Sequence, residues 1–239
     1  MIDIAVIVEP RLHIYLKPVI DNILRNINNE TSVHIFHSNY NENFIRENYN
    51  MLILNNKIIL SKILLNNIIM NNLEISEYNM LLTSLDFWNN INGENILIFQ
   101  TDSCLCRHIN TFDFTEYMEY GFIGAPFRAY PKLGLNGGFS IRKKSLMINA
   151  INAKANIITK QSINPKSYII CTNEDKFFSI MRNKITNPAP YNLAKQFSVE
   201  QFYYDNPLGI HKPWLYLSKE HWNELKKKFP EISLTFNNL

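Results

Sequence analysis

Glycine is scarce in this chain, seven residues in 239, and cysteine scarcer still at three. Cys104 and Cys106 lie too close in sequence for an easy bridge and Cys171 has no evident mate, which predicts free thiols in a reducing compartment. The same cysteines make a poor zinc site, because Cys104-Leu105-Cys106 with His108 crowds its ligands onto one short segment. No uninterrupted apolar run approaches the ~18 residues of a membrane helix. The greasiest stretch, Met51 to Leu73, is broken by Asn55, Asn56, Lys57, Lys62, Asn66 and Asn67. The N-terminus has no basic region ahead of its apolar run, so neither a signal nor a transit peptide is read, and a soluble cytoplasmic protein is expected. Charge of one sign is also in short supply: 24 basic against 21 acidic residues leave +3, far from the clustered Lys and Arg of a nucleic-acid surface.

What is present is core material. Hydrophobic residues make up 46% and charged residues 19%, the balance of a globular chain, and 1–239 is read as a single α/β domain. Asn and Ile each supply roughly one residue in seven, so a single Asn carries little weight. The apolar run within Asp3 to Val8, ending at Glu9-Pro10-Arg11, reads as a buried parallel-type strand with a polar exit. Between His13 and Ile27, Leu16, Val19, Ile20, Ile23, Leu24 and Ile27 recur at helical spacing, with Pro18 where a first turn tolerates it. Val33 to His37 reads as a second strand, and Met51-Leu52-Ile53-Leu54 as a third after a short polar helix. This β-α-β-α-β order implies parallel strands joined by right-handed crossovers.

Apolar groups at Ile58, Ile63 and Ile68 recur every five residues, which fits neither the helical nor the strand period. Ser76 reads as the N-cap of a helix carrying Tyr78, Leu81, Leu82, Leu85 and Trp88, with Gly93 just past its end. On that helical stripe Tyr78 and Trp88 are expected in the core. Asn95 to Phe99 is another buried strand, and Gln100-Thr101-Asp102-Ser103 follows it, at the carboxyl end where open α/β sheets bind ligands. Five of the seven glycines, with Pro126 and Pro131, crowd residues 121–138, a loop-rich region suited to a site. Glu174 and Asp175 open a helical segment through Met181, with Thr172 as candidate cap. A short strand at Phe197-Ser198-Val199, the Gly209 to Trp214 segment and an amphipathic helix from Ser218 to Phe229 complete the chain, and Lys226, Lys227 and Lys228 read as a solvated face.

A carboxylate after a buried strand, a glycine-rich turn, a carboxylate pair opening a helix and a late histidine follow one another in the order seen in GT-A glycosyltransferases. The blocks are Phe99-Gln100-Thr101-Asp102-Ser103, Ile123-Gly124-Ala125-Pro126, Asn136-Gly137-Gly138-Phe139-Ser140-Ile141-Arg142, Glu174-Asp175-Lys176-Phe177-Phe178, and Phe197-Ser198-Val199-Glu200 with Gly209-Ile210-His211. On these blocks, and on Val6-Ile7-Val8-Glu9-Pro10-Arg11, the chain resembles the GT-A-like glycosyltransferases long filed as a domain of unknown function. The likeness runs over nearly the whole chain. It implies a Rossmann-like mixed sheet flanked by helices, with residues 1–102 as nucleotide-binding half and 103–239 as donor-sugar and acceptor half.

By that resemblance Asp102 is the last residue of the metal-binding carboxylate motif and His211 the C-terminal histidine that completes the site. A hard divalent cation there would bridge the phosphates of a nucleotide sugar. Imidazole suits Mn²⁺ better than Mg²⁺, so Mn²⁺ is the preferred ion. The chain departs from the pattern in having Gln100 for the first carboxylate, which weakens affinity for any metal. Asn136, Gly137 and Gly138 resemble the loop that approaches the donor, since glycine lets backbone N–H groups come close to a ligand. Glu174 and Asp175 resemble the pair at the acceptor site, Asp175 as general base of an inverting enzyme and Glu174 positioning acceptor or base. Glu9, Arg11 and Thr101 fall where the nucleotide is held, Lys212 is a phosphate partner, and Arg142 faces the donor or braces the loop.

The resulting expectation is a transferase moving a sugar from a nucleotide-diphosphate donor, UDP by family habit, to a hydroxyl of a glycan, protein or lipid. Two other readings use the same residues. A glycoside hydrolase also needs two carboxylates, and a non-catalytic nucleotide-sugar or glycan-binding module would account for the missing first carboxylate. A nucleotidyltransferase is disfavoured, because Glu9-Pro10-Arg11 stands where its glycine-rich basic loop would follow the first strand.

Overall fold

The computed structural model describes residues 2–128, 134–161 and 173–237, without the side chains of 154–161. At its centre lies β1 (Ile4–Val8), five residues all buried, as a strand covered on both faces must be. β2 (Ser32–His37) pairs with β1 in parallel, and β3 (Ile58–Lys62) pairs with β2 in the same sense. Helix Leu16–Asn26 bridges the first two strands with Leu16, Val19, Ile20 and Ile23 fully buried, as the spacing predicts.

The third strand is displaced from its expected place. Met51-Leu52-Ile53-Leu54 forms the last turn of helix Glu42–Leu54, with Met51 and Leu54 66% and 67% exposed. Asn56, left-handed at φ 57°, follows the helix end, and the β-branched pair Ile58 and Ile59 then aligns with Val33 and His34. The five-residue recurrence resolves into this strand and a hairpin, β4 (Leu64–Leu65) and β5 (Ile68–Ile69). Its two-residue turn, Asn66-Asn67, has positive φ at both positions, as a turn matched to strand twist requires.

Ser76 is not the cap expected of it. The helix starts at Ile75 after Glu74, whose N–H donates to the Glu77 carboxylate at 2.8 Å. Ser84 then splits the element into Ile75–Leu82 and Leu85–Asn89 by accepting from the Phe87 N–H at 3.2 Å. Trp88 is fully buried, as expected, and its indole N–H donates to the Leu82 carbonyl at 2.8 Å.

β6 (Asn95–Phe99) pairs in parallel with the other side of β1. After β7 (Ser103–Leu105) and β8 (Phe122–Pro126), the long β9 (Leu135–Lys143) returns antiparallel to both β6 and β8. The sheet order is therefore β3-β2-β1-β6-β9-β8, four parallel strands followed by β9, which runs against them, and β8, which runs with them. A smaller sheet forms from β10 (Ser198–Val199) and β11 (Gly209–His211), in the order β10-β11-β7. Helix Lys219–Lys228 has Ser218 as its cap, and a short final helix spans Pro230–Thr235. The candidate cap Thr172, along with Cys171 and Pro131, lies outside the described residues.

Candidate active site

Strand register explains why distant motifs meet. β1 and β6 run parallel with Val6 opposite Ile98, so the residues just past their carboxyl ends, Glu9 and Thr101, come together at 3.5 Å. β9 runs antiparallel to β6 with Phe139 opposite Phe99, which lays the entry of β9, Asn136 to Gly138, beside the exit of β6, Gln100 to Asp102. β11 pairs antiparallel with β7, His211 opposite Ser103, and the Lys212 N–H donates to the Asp102 carbonyl at 2.8 Å. One cleft of about 380 Å³ results, and every site residue expected from the sequence except Arg142 lines it, from Glu9 and Arg11 through the glycine loop to Glu174, Asp175, His211 and Lys212.

His211 sits at the floor, 1% exposed, with its ring held between oxygens. Nε2 lies 3.2 Å from Asp102 Oδ1, an ion-pair contact, and 3.3 Å from Gln100 Oε1. Nδ1 faces Glu200 Oε1 at 3.6 Å. Burial pulls the imidazole pKa down, but the two carboxylates outweigh it and leave it above the ordinary histidine value. For Asp102 burial disfavours the charge, yet His211 and Lys212 together hold the carboxyl below its ordinary range. Gly138 makes room for the ring, since a Cβ there would overlap it.

Among the described residues, no group of three or more His, Cys, Asp or Glu side chains is arranged to hold a metal ion. Asp102 and His211 offer one carboxylate oxygen and one imidazole nitrogen, and Asp102 Oδ1 is buried without a hydrogen-bond partner. Two ligand atoms at that separation suit adjacent positions on an ion with bonds of about 2.1 Å. Such a set fits a cation that takes its remaining oxygens from phosphate and water.

The second cluster is more rigid. Arg142 is fully buried and donates to both oxygens of Glu174, at 2.6 and 3.0 Å. It also donates to the Gly137 carbonyl at 3.1 Å and to Ser140 Oγ at 3.0 Å, with the Phe122 ring 4.7 Å from its guanidinium carbon. Of its two expected roles, the structure assigns Arg142 that of bracing the glycine loop. Glu174, 5% exposed, has both oxygens engaged by Arg142 and stands beside Asp175 in the chain, lining the cleft with it. Asp175, half-buried, has its carboxyl pushed up to about 6, first by burial and then by the charge of Glu174.

Glu9 is buried and binds Arg11 through both oxygens, each at 2.8 Å, while the Arg11 side chain stays 60% exposed. Asn41 fixes this exit loop by donating to the carbonyls of Glu9 and Arg11 at 2.7 and 3.1 Å. Arg11 thus stands at the rim on a fixed carboxylate. Tyr78, expected in the core, is partly buried against it and also lines the cleft, where its hydroxyl accepts from Gln100 Nε2 at 2.9 Å. Three participants went unassigned in the sequence: Asn79, which accepts from the Glu174 N–H at 2.8 Å, Glu200, and Gln100 as a bridge between Tyr78 and His211. Only Glu200 left a signal, as the polar end of a short apolar block preceding the histidine.

Residues 62–211, well over half the chain and most of this cleft, match the family model described as protein of unknown function DUF5672. No protein of curated function matches the sequence. Among solved structures, glycosyltransferase GlyE of Streptococcus pneumoniae TIGR4 superposes with a TM-score of 0.58 at 11% identity, over 99% of this chain and 62% of GlyE. The chain therefore spans less than two thirds of that protein's length. Mouse xyloside xylosyltransferase 1 in its apo form gives 0.55 at 9% identity, over 91% of this chain and 99% of that one. The galactosyltransferase LgtC, solved with donor and acceptor sugar analogues, gives 0.52 at 11% identity over 98% and 95%. The chain belongs to the DUF5672 family, and its fold is that of the GT-A glycosyltransferases.

Proposed function

We propose that the protein is a glycosyltransferase that moves a sugar from a nucleotide-diphosphate donor, UDP-linked by preference, to an acceptor hydroxyl with inversion. The observation that carries this reading is the meeting of Asp102, His211, the Asn136-Gly137-Gly138 loop and Asp175 in one cleft at the carboxyl ends of the parallel strands. Asp102 and His211 would hold Mn²⁺, or Mg²⁺, with Gln100 beside them. Such an ion, when bound, neutralises charge on the leaving diphosphate. Lys212, whose backbone is tied to Asp102, adds a cation on the same side. Glu9, Arg11 and Thr101 would meet the nucleotide.

Asp175 takes the proton of the acceptor hydroxyl as that oxygen bonds to the anomeric carbon. The bond from that carbon to the diphosphate oxygen breaks, and its electron pair leaves with the nucleoside diphosphate. A carboxylate of pKa about 6 is ionised at neutral pH yet basic enough to share a proton. Arg142, through Glu174, keeps the base and the donor loop in fixed relation.

The test is release of nucleoside diphosphate from a panel of nucleotide sugars with Mn²⁺, Mg²⁺ or EDTA, for wild type, Asp102→Ala and Asp175→Asn. Slow donor hydrolysis makes the assay independent of the acceptor. Metal-dependent release from one donor, lost with Asp102→Ala, supports the reading. No release and no thermal shift with any donor removes it in favour of a glycan-binding module or a hydrolase.

A further inference from the structure

A second cavity lies beyond the end of β7 that points away from Asp102. It measures about 390 Å³, as large as the cleft, and shares no lining residue with it. Past the paired strands the Cys106 N–H donates to the Leu208 carbonyl, and Arg107 Nη2 to the Asn206 carbonyl, each at 2.8 Å. Two single turns of 3₁₀ helix, Ile109–Thr111 and Tyr117–Glu119, then bring Phe112, Asp113, Glu116 and Tyr117 to the wall, and Tyr204 joins them from the segment before β11. The Phe112 and Tyr117 ring centroids are 4.8 Å apart, and the Arg107 guanidinium carbon stands 5.5 Å from that of Phe112.

The lining decides the class of ligand. A guanidinium has five N–H donors, and the bond to Asn206 is the one hydrogen bond of the Arg107 side chain among the described residues. Its Nε is buried without a partner. Asp113 and Glu116 are exposed acceptors. These groups converge on one place: burial first, then Tyr204, Glu116 and Asp113, push the Tyr117 hydroxyl up to about 12, while Arg107 pulls the other way. Two carboxylates against one guanidinium leave the pocket net negative, which disfavours phosphate and nucleotide, and the guanidinium disfavours a bare cation. A neutral molecule that both donates and accepts hydrogen bonds, with an apolar face for Phe112, Tyr117 and Tyr204, satisfies all of them. That description is a sugar ring.

We infer that this pocket binds a neutral saccharide unit: Asp113 and Glu116 accept from its hydroxyls, Arg107 donates to them, and the aromatic rings take its C–H face. Arg107 follows Asp102 by five residues, at most about 18 Å of chain, so one oligosaccharide is long enough to reach from pocket to cleft. That the saccharide is a remote part of the acceptor, held here while another of its hydroxyls lies at Asp175, rests on the function proposed above.

The test titrates lactose, maltotriose, cellotriose and N,N′-diacetylchitobiose into ¹⁵N-labelled protein and follows the backbone amide shifts. We expect saturable shifts at residues 107–117 and 193–206 from at least one of the four, and none there from glucose 6-phosphate at the same concentration. Glu116→Ala, at an exposed side chain that makes no capping bond, and Arg107→Met should each weaken that binding by about tenfold. Neither should alter the release of nucleoside diphosphate from donor alone. The inference is overturned if none of the four shifts these residues, if the shifts are confined to the cleft, if the phosphorylated sugar binds more tightly, or if Glu116→Ala binds as well as wild type. Saccharide binding here in a protein that releases no nucleoside diphosphate supports the pocket and removes the transferase reading. Donor turnover without saccharide binding here does the reverse.

Discussion

Arg142 and Glu174 form a two-point ion pair at 2.6 and 3.0 Å in which the arginine is wholly buried and the carboxylate nearly so. The pair joins β9, which carries the donor-side loop, to the helix start that carries Asp175. Because a buried pair is costly to break from one side, Glu174→Leu and Arg142→Met should each lose about 3–5 kcal/mol of stability. The double variant should lose clearly less than the sum of the two. Urea unfolding followed by the fluorescence of the three tryptophans measures all four corners of this cycle. Additive losses would show that the pair is not coupled.

Asp175 sets the expected pH dependence. With its carboxyl pushed up to about 6, the base form is lost as pH falls through that value. Donor turnover should therefore rise about tenfold per pH unit below 6 and level off above it. Asp175→Asn should reduce turnover by at least ~100-fold and remove this limb of the profile. The same shift has a stability signature of definite sign. The folded state binds this proton more tightly than the unfolded chain, whose carboxyl titrates at about 3.9, so the contribution is present below that value and lost as pH rises through about 6. Asp175→Asn should therefore gain stability over wild type at pH 8 and not at pH 3, as read by Tm at the two values.

Gly138 is the tightest point of the site. Alanine there would press its methyl into the His211 imidazole, which is buried and has no free direction to move. Gly138→Ala should cost about 1–3 kcal/mol of stability. Displacing the ring by about 1 Å, as that overlap demands, should lower donor turnover by about 100-fold. Thermal melts combined with the diphosphate-release assay separate the two effects.

Cys104 and Cys106 are buried and free, and burial pushes the Cys104 thiol up to about 12. With so little thiolate, neither should react with iodoacetamide in the native protein at pH 8, whereas both should be labelled in urea. Peptide mass spectrometry gives the answer. Rapid native labelling at either position would mean that the packing between helix Leu16–Asn26 and β7 opens readily.

Local patterns in the chain were sufficient for the buried strands at Ile4–Val8 and Asn95–Phe99, the apolar stripe of helix Leu16–Asn26 and the order of the motifs. Burial on both faces and helical spacing are properties of contiguous residues, so they are written in the sequence itself. The third strand was misplaced because an apolar tetrad ending a helix and an apolar strand look alike until partners are known, and Val33 and His34 choose Ile58 and Ile59. Tertiary structure alone decided that Glu174 answers to Arg142, that Tyr78 holds Gln100, and that Glu200 backs His211. Those contacts depend on the register between strands and loops far apart in the chain, and a side chain's role there is set by which charge or donor the fold brings opposite it.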